Sequence, residues 1–166
     1  MQSHVVKFPY PRQHYIIHFM ILTAMLVIAI FLLPAPDGIA GGYFIAFCAM
    51  CFISIIVLTI TPLFTAHEMN NVGIHLRNGL VFTISIRFED VSGVEVAGSR
   101  PWAFGFIPTA SRGRVILANG NRNLVSIKLK RPRRFRSLLG RSFDEIIIDL
   151  VSPDDFVKMA NEKIQR

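Results

Sequence analysis

The sequence predicts two transmembrane helices that form a hairpin, followed by a mostly-β domain of six to seven antiparallel strands with a C-terminal α-helix. Two long runs without a charged side chain, separated by a short turn, predict the helices. Alternating apolar and polar residues after position 68 predict the strands. An amphipathic segment that opens with helix-start signals predicts the last element.

The two apolar runs are residues 15–33 and 43–64 of a chain of 166 residues. Each is close to the roughly 20 residues that a helix needs to cross a bilayer. The turn at 34–38 is so short that the helices form a hairpin, which leaves both chain ends on one side. Lys7 and Arg12 precede the first run, and 16 of the 18 Lys and Arg residues follow position 70. The positive-inside rule therefore predicts a multi-pass protein of the cell membrane with both termini in the cytoplasm.

Two other interpretations of the apolar runs fit the sequence less well. The first run resembles a secretory signal peptide in its preceding cations, but it is longer than a signal core and a second run follows at once. Two buried helices of a soluble protein would each need a polar face, and neither run has one. We therefore expect a cytoplasmic segment 1–14, a transmembrane hairpin 15–64 and a cytoplasmic domain 66–166.

Cysteine and histidine pairs in the apolar runs raise the question of metal or redox chemistry. Cys48 and Cys51 share one face of the second helix inside lipid, where cysteine packs as a small apolar residue. His14 and His18 have the i, i+4 spacing of a metal pair, but no third ligand lies nearby in sequence. We expect no metal site and no cofactor.

A β-hairpin is predicted around Asn78-Gly79, the dipeptide favoured in two-residue type I′ turns. Its apolar residues alternate with polar ones and are expected to share one buried face; they are Val72, Ile74, Leu76, Leu80, Phe82, Ile84, Ile86 and Phe88. Similar patterns predict further strands near 91–96, 114–118, 124–130 and 145–151.

The C-terminal helix has a well-defined start. Ser152 lies at the N-cap, Pro153 at the first helical position, and Asp154 and Asp155 in the first turn. Its apolar stripe consists of Phe156, Val157, Ala160 and Ile164. A sheet of this size is best closed as a small barrel or an orthogonal sandwich, with the helix covering one open end.

These features resemble, in their order, prokaryotic membrane proteins that carry a bacterial-type pleckstrin-homology (PH) domain. The residues that carry the resemblance are Gly73-Ile74, Arg77-Asn78-Gly79, the Phe88–Val91 strand entry, Val94-Glu95 and the Ser152–Phe156 helix start. The resemblance implies a seven-stranded PH-like barrel over residues 66–166, capped by the C-terminal helix, in a family whose functions are mostly unassigned. PH domains that bind phosphoinositides usually carry a basic loop between the first two strands. Here that connection is short, so a phosphoinositide pocket of that kind is not expected.

The most basic stretch lies between positions 128 and 141, which contain no carboxylate. Its seven cations are Lys128, Lys130, Arg131, Arg133, Arg134, Arg136 and Arg141. A tether through the second helix would hold these residues near the inner leaflet, where each cation contributes about 1 kcal/mol of attraction to anionic lipid. The stretch therefore predicts binding to an anionic phospholipid membrane.

The same stretch contains signals for a short helix, with Pro132 at its start and Gly140 at its end. Phe135, Leu138 and Leu139 would then share one face, as in an amphipathic segment at the membrane interface. The alternative is that Phe135 and Leu139 fill the end of the barrel.

A second candidate contact is the aromatic stretch at 100–108, in which Trp102, Phe104 and Phe106 alternate between Pro and Gly residues. Aromatic residues beside arginine suit the headgroup zone of a membrane. They also suit packing under a long loop or contact with a partner protein. The sequence leaves these three interpretations open.

The motifs of other function classes do not occur. The chain has no Gly-rich phosphate loop, no His-Glu metal spacing and no Gly-x-Ser-x-Gly, so we do not expect an enzyme. It has no helix-turn-helix, zinc-finger or RNA-binding signature, so nucleic acid is not an expected partner.

Two hypotheses about function follow from the sequence. The protein binds the anionic inner leaflet and organises or regulates a membrane process, or it is an accessory subunit or scaffold that docks onto another membrane protein.

Overall fold

The computed structural model describes residues 5–32, 38–80, 82–98, 106–109, 113–118, 120–138 and 140–165. The chain divides into two compact units. The helical unit consists of Arg12–Thr65 with Gly79–Val81, and the β unit contains the rest of the chain.

The helical unit contains the two predicted apolar helices. They are α1 (Gln13–Leu32) and α2 (Ile39–Ile55), and α2 continues through a π-helical segment, Ile56–Ile60, into a last helical turn, α3 (Thr61–Leu63). The stretches Gln13–Phe31 and Gly41–Leu63 are long and apolar enough to cross a membrane, and little of either is buried within the protein. The prediction of two apolar helices before a mostly-β region is confirmed.

The wide turn of the second helix lies just before a proline. Pro62 has no N–H to donate to the preceding turn. The Thr59 hydroxyl donates to the Ile55 carbonyl at 2.5 Å, and the Thr61 hydroxyl donates to the Val57 carbonyl at 2.6 Å. Local π geometry and threonine hydroxyls are the means by which apolar helices satisfy backbone groups next to a proline.

The predicted two-residue turn at Asn78-Gly79 is wrong. Asn78 pairs with Phe82, so three residues lie between the paired positions. The Leu80 side chain, predicted to join the buried face, is 74% exposed. The physical reason is that the N–H groups of the turn bind side chains at the end of the second helix instead of closing a two-residue hairpin.

The first sheet of the β unit is antiparallel, with the order β1-β2-β3-β4. Its strands are β1 (Val6–Phe8), β2 (His67–Met69), β3 (Gly73–Asn78) and β4 (Phe82–Arg87). The predicted alternation along β3 and β4 is confirmed, because Leu76, Ile84 and Ile86 are buried while Thr83 and Ser85 are exposed. The prediction that Val72 joins this buried face is wrong, because Val72 lies before the start of β3 and is 66% exposed. Strands β1 and β2 were not predicted.

The second sheet has the order β5-β8-β9-β7-β6. Its strands are β5 (Val91–Ala97), β6 (Phe106–Thr109), β7 (Arg114–Leu117), β8 (Leu124–Arg134) and β9 (Ser142–Asp149).

Two features of the sheets differ from the predicted closed antiparallel barrel. The described residues form nine strands in two separate sheets that do not close, and β7 and β9 are parallel. The chain reverses its direction between β7 and β8 and reverses again between β8 and β9. Strands β7 and β9 therefore run in the same direction. Because β8 occupies one edge of β9, β7 pairs with the other edge.

Both sheets and the C-terminal helix α4 (Pro153–Ile164) share one hydrophobic core. Phe156 and Ala160 of α4 are fully buried, as the apolar stripe predicted. The Phe156 ring meets the Phe8 ring of β1 edge-on, with 4.9 Å between the ring centroids. Ser152 occupies the N-cap position, as predicted, but its side chain makes no capping hydrogen bond.

Helix α4 also covers the edge strand β5. The Asn161 side-chain amide donates a hydrogen bond of 3.0 Å to the Val94 carbonyl of β5. We expect Asn161→Ala to reduce the free energy of unfolding of the β unit by about 1 kcal/mol, the usual value of one such bond. Hydrogen exchange of the β5 amides measures the change, and Glu162→Ala at the exposed neighbouring position is the control. Equal exchange in the two variants would contradict the prediction.

Candidate anion-binding site

The basic stretch is a strand followed by a tight loop. Strand β8 extends to Arg134, and only a single 3-10 turn, Arg136–Leu138, follows it. The amphipathic helix predicted between Pro132 and Gly140 is therefore wrong. Proline cannot donate a hydrogen bond to a strand ladder, so it needs an unpaired position. Pro132 has one, because the pairing of β8 with β5 ends at Leu129 and the pairing of β8 with β9 is interrupted between Lys128 and Arg133.

The gap in the ladder explains why two of the cations project into solvent. Lys128 pairs with Glu145 and Arg133 pairs with Phe143, so β8 contains three more residues than β9 between these positions. Such a bulge takes residues out of the regular ladder. Lys130 and Arg131 lie within this bulge, and both are exposed.

The loop from β8 to β9 is held by its own backbone. The Phe135 N–H donates to the Arg141 carbonyl, and the N–H groups of Leu138 and Gly140 donate to the Phe135 carbonyl. Gly140 has a φ of +69°, which a residue with a side chain rarely adopts. The loop therefore holds Arg136 and Arg141 on a defined backbone.

The apolar residues of the loop face the protein. Phe135 is 8% exposed and Leu138 is 2% exposed, and both belong to the core of the β unit. Phe135 therefore packs in the core, which is the alternative that the sequence left open, and its contact with a membrane interface stays a prediction. Leu139 lies outside the described residues. Burial of these two side chains fixes the loop to the core of the β unit, whereas the cations of the loop are exposed.

Two of the seven predicted cations are paired with carboxylates. Lys128 Nζ lies 2.6 Å from a carboxylate oxygen of Glu95, and Arg133 forms an ion pair with Asp90. The hydrogen bond that Lys128 donates to Glu95, together with the negative charge of that carboxylate, raises the pKa of Lys128 above its usual value. These acids were not predicted as partners, because they come from β5 and from the 3-10 turn before it, more than 30 residues away in sequence.

The other five cations form what we call the basic ridge: Lys130, Arg131, Arg134, Arg136 and Arg141. All five are exposed, and none has an ion pair with a carboxylate in the part of the chain that the structure describes. Unneutralised cations on one hairpin create a positive surface potential that attracts polyanions.

The predicted aromatic contact is not tested. Trp102 and Phe104 lie outside the described residues, and so does the side chain of Phe106, whose backbone begins β6.

A hydrogen-bonded Ser-His-Asn cluster lies on the first sheet, and no sequence pattern indicates it. His75 Nδ1 lies 2.9 Å from Ser85 Oγ, and His75 Nε2 lies 3.1 Å from the Asn70 amide nitrogen. The Asn70 oxygen accepts the Val72 and Gly73 N–H groups, so the Asn70 nitrogen is the donor to His75 Nε2. The neutral ring then has its proton on Nδ1 and donates to Ser85. This direction does not activate a serine nucleophile, which needs a histidine that accepts its proton.

His67 of β2 is a second polar residue that the sequence did not single out. It is only 2% exposed, its Nδ1 accepts the Arg77 N–H at 3.2 Å, and its ring lies 5.3 Å from the Tyr10 ring. Within the described residues its Nε2 has no hydrogen-bond partner. Burial lowers the pKa of His67 to about 4. Sequence patterns give no signal for this, because the ring contacts Tyr10 and the Arg77 N–H, which lie elsewhere in the sequence.

No group of three or more His, Cys, Asp or Glu side chains is placed to hold a metal ion among the residues that the structure describes. Cys48 and Cys51 are free thiols. The basic ridge is therefore the feature with the clearest binding chemistry in the described chain.

Comparison with protein-family models, with curated proteins and with solved structures finds no match for this chain.

Proposed function

We propose that this chain is a non-enzymatic, multi-pass protein of the cell membrane whose β unit binds the anionic inner leaflet through the basic ridge and thereby organises or regulates a membrane process. The observation that carries the proposal is the basic ridge itself, with five exposed cations on one hairpin and no carboxylate partner in the described chain.

The size of the attraction is sufficient for this role. Each Lys or Arg near an anionic leaflet contributes about 1 kcal/mol. Five such residues together contribute roughly 5 kcal/mol when all lie within one Debye length, about 8–10 Å, of the headgroups. A chain already tethered by two helices meets the leaflet at high effective concentration, so this attraction does not have to overcome the full entropy of association.

Strand pairing supports the transmembrane hairpin. β1 precedes α1 and β2 follows α2, and the two strands are hydrogen-bonded neighbours in one sheet. If α1 and α2 cross a bilayer, the chain must leave and re-enter the same side. The excess of cations outside the two helices favours the cytoplasm as that side.

Membership of the PH-like family is part of the same proposal. Strands β2 to β9 and a C-terminal helix that packs on the core follow the two apolar helices, in the order the resemblance implies, whereas β1 precedes them. The parallel pair β7–β9 is a departure from an all-antiparallel barrel. A prokaryotic origin is likewise proposed from the resemblance alone.

Quenching by labelled lipid tests leaflet binding in the full chain. Cys48 and Cys51 are replaced by Ala, and a fluorophore is attached to Ser142→Cys, an exposed position that pairs with Arg134 at the ridge. The protein is placed in phosphatidylcholine nanodiscs containing a nitroxide-headgroup lipid, with or without phosphatidylglycerol. We expect stronger quenching with phosphatidylglycerol and its loss at high salt.

Equal quenching in neutral and anionic nanodiscs would overturn the proposal. If a stoichiometric membrane-protein partner is then recovered from mild detergent extracts, the accessory-subunit hypothesis takes its place.

Releasing a paired cation should strengthen binding. Asp90→Asn leaves Arg133 without its carboxylate, and one more available cation is worth about 1 kcal/mol, or roughly fivefold in the equilibrium constant. The same quenching titration measures the change. Glu89→Gln is the matched control, because it removes one negative charge from the same 3-10 turn but releases Arg87 of β4. A similar increase in both variants would show that net charge matters and that Arg133 does not.

A further inference from the structure

Within the helical unit, Gly79 and Leu80 are hydrogen-bonded to the last turn of the second helix. The Leu80 N–H donates to Thr61 Oγ1 at 3.2 Å, and the Gly79 N–H donates to Thr65 Oγ1 at 3.0 Å. Each hydroxyl also donates back into the helix end, from Thr61 to the Val57 carbonyl and from Thr65 to the Pro62 carbonyl. A hydroxyl that donates once and accepts once fixes both of its partners.

Close approach of the backbone makes this attachment specific. A Cβ atom at position 79 would lie 2.4 Å from Thr61 Oγ1, closer than real atoms approach, and 3.0 Å from Pro62 Cδ, tighter than most real contacts. Gly79 also has a φ of +63°, in the region that glycine adopts without strain. Glycine is thus required for the turn to reach the helix end.

The attachment places an apolar residue at a defined level along the helix. Thr61 is two residues from the end of the candidate span Gly41–Leu63, so Leu80 lies where that span ends. Leu80 is 74% exposed, and Phe64, the residue after the span, is 83% exposed. Leaving a large apolar side chain in water instead of burying it costs about 1.5–3 kcal/mol.

We propose that Leu80 is a membrane-contact residue, and that the Gly79–Leu80 turn enters the boundary between headgroups and acyl chains beside Phe64. Lipid is the occupant that the position indicates, because the exposed Leu80 is attached at the end of a candidate membrane span whose own large apolar side chains are also exposed. This inference rests on the proposed crossing of the bilayer by α2, but it does not depend on the basic ridge. The turn would give the protein a contact with the membrane in addition to its two helices.

Spin-label accessibility in the full chain tests the inference. In a Cys48→Ala, Cys51→Ala background, single nitroxides are placed at Leu80→Cys, at Ile53→Cys in α2 and at Val72→Cys, an exposed position of the β unit. Collision with lipid-soluble oxygen is compared with collision with a water-soluble nickel chelate in proteoliposomes. We expect the labels at positions 53 and 80 to favour oxygen and the label at 72 to favour the chelate.

The three positions separate this inference from the proposed function. Suppose that the label at 53 favours oxygen while the labels at 80 and 72 both favour the chelate. This result overturns the inference about Leu80 but is still consistent with a membrane span at α2. A label at 53 that favours the chelate overturns both.

A second variant tests the attachment. Thr61→Val keeps the side-chain shape but removes the acceptor for the Leu80 N–H, so the label at 80 should become more mobile and several-fold more accessible to the chelate. Thr59→Val is the control, because the Thr59 hydroxyl bonds to the Ile55 carbonyl within the helix. No difference between the two variants would overturn the attachment.

Discussion

Replacing Arg134, Arg136 and Arg141 with Gln should weaken the proposed binding of the β unit to the leaflet roughly a hundredfold, since three cations at about 1 kcal/mol each amount to about 3 kcal/mol. The three side chains are exposed and have no carboxylate partner in the described chain, so the substitutions remove charge without breaking an ion pair. The backbone hydrogen bonds that close the loop remain, as do the buried Phe135 and Leu138.

The lipid-quenching titration measures this loss, and a second triple variant is its control. Arg77→Gln, Arg122→Gln and Lys158→Gln remove the same charge from exposed positions on β3, on the loop before β8 and on α4. We expect this control to retain most of the binding. A similar loss in both triple variants would mean that the overall charge of the β unit attracts the leaflet and that the basic ridge has no special role.

Acid should destabilise the β unit through His67. Its pKa is about 4 in the folded protein and about 6.5 in an unfolded chain, so the unfolded state binds the proton more tightly. The stability contributed by the neutral ring is complete above pH 6.5 and is lost as the pH falls towards 4. A difference of about 2.5 pH units corresponds to roughly 3 kcal/mol. Protonation also turns Nδ1 into a donor that faces the Arg77 N–H, which removes a hydrogen bond.

Hydrogen exchange of the β2 and β3 amides at neutral and at mildly acid pH measures the acid effect. His67→Asn is the informative control, because its side-chain oxygen can accept the Arg77 N–H but does not titrate. We expect the exchange free energy of the variant to change much less across this range. If both proteins lose the same stability, other titrating groups cause the effect and the role assigned to His67 is wrong.

The elements that the sequence predicted well have a local signal. In β3 and β4 each second residue is apolar, and the alternation places Leu76, Ile84 and Ile86 in the core. In α4 a proline at the first position and a 3.6-residue period predict both the start of the helix and its buried face. The two apolar helices are predicted by length and composition alone.

The basic stretch was predicted correctly in charge but not in backbone. Pro132 and Gly140 are typical helix boundaries, yet Val125, Ile127 and Leu129 begin an alternation that continues as β8. The bulge opposite β9 accommodates the proline, and no local pattern encodes it. The pairing of Lys128 and Arg133 with acids depends on the packing of β5 beside β8, which single-sequence patterns do not show.

Contacts between distant parts of the chain account for the other differences. The turn after Asn78 has the composition of a two-residue hairpin, but hydroxyl groups at the end of the second helix compete for its N–H groups. Strand β1 is three residues long, too short for a period to be recognised, and its partner β2 comes much later in sequence. Local propensity is overridden in both places by tertiary contacts.

The pairing of β1 with β2 also sets an order for biosynthesis. Roughly sixty residues separate the paired positions, so the nascent β1 has no partner until both apolar helices have been translated. Closing so long a loop in a free chain has a large entropic cost. If the two helices cross the membrane as proposed, the inserted hairpin would return the chain to its starting side and remove much of that cost. Maturation of the first sheet would then follow membrane insertion, and a helix inserted in the wrong orientation would leave β1 without its partner.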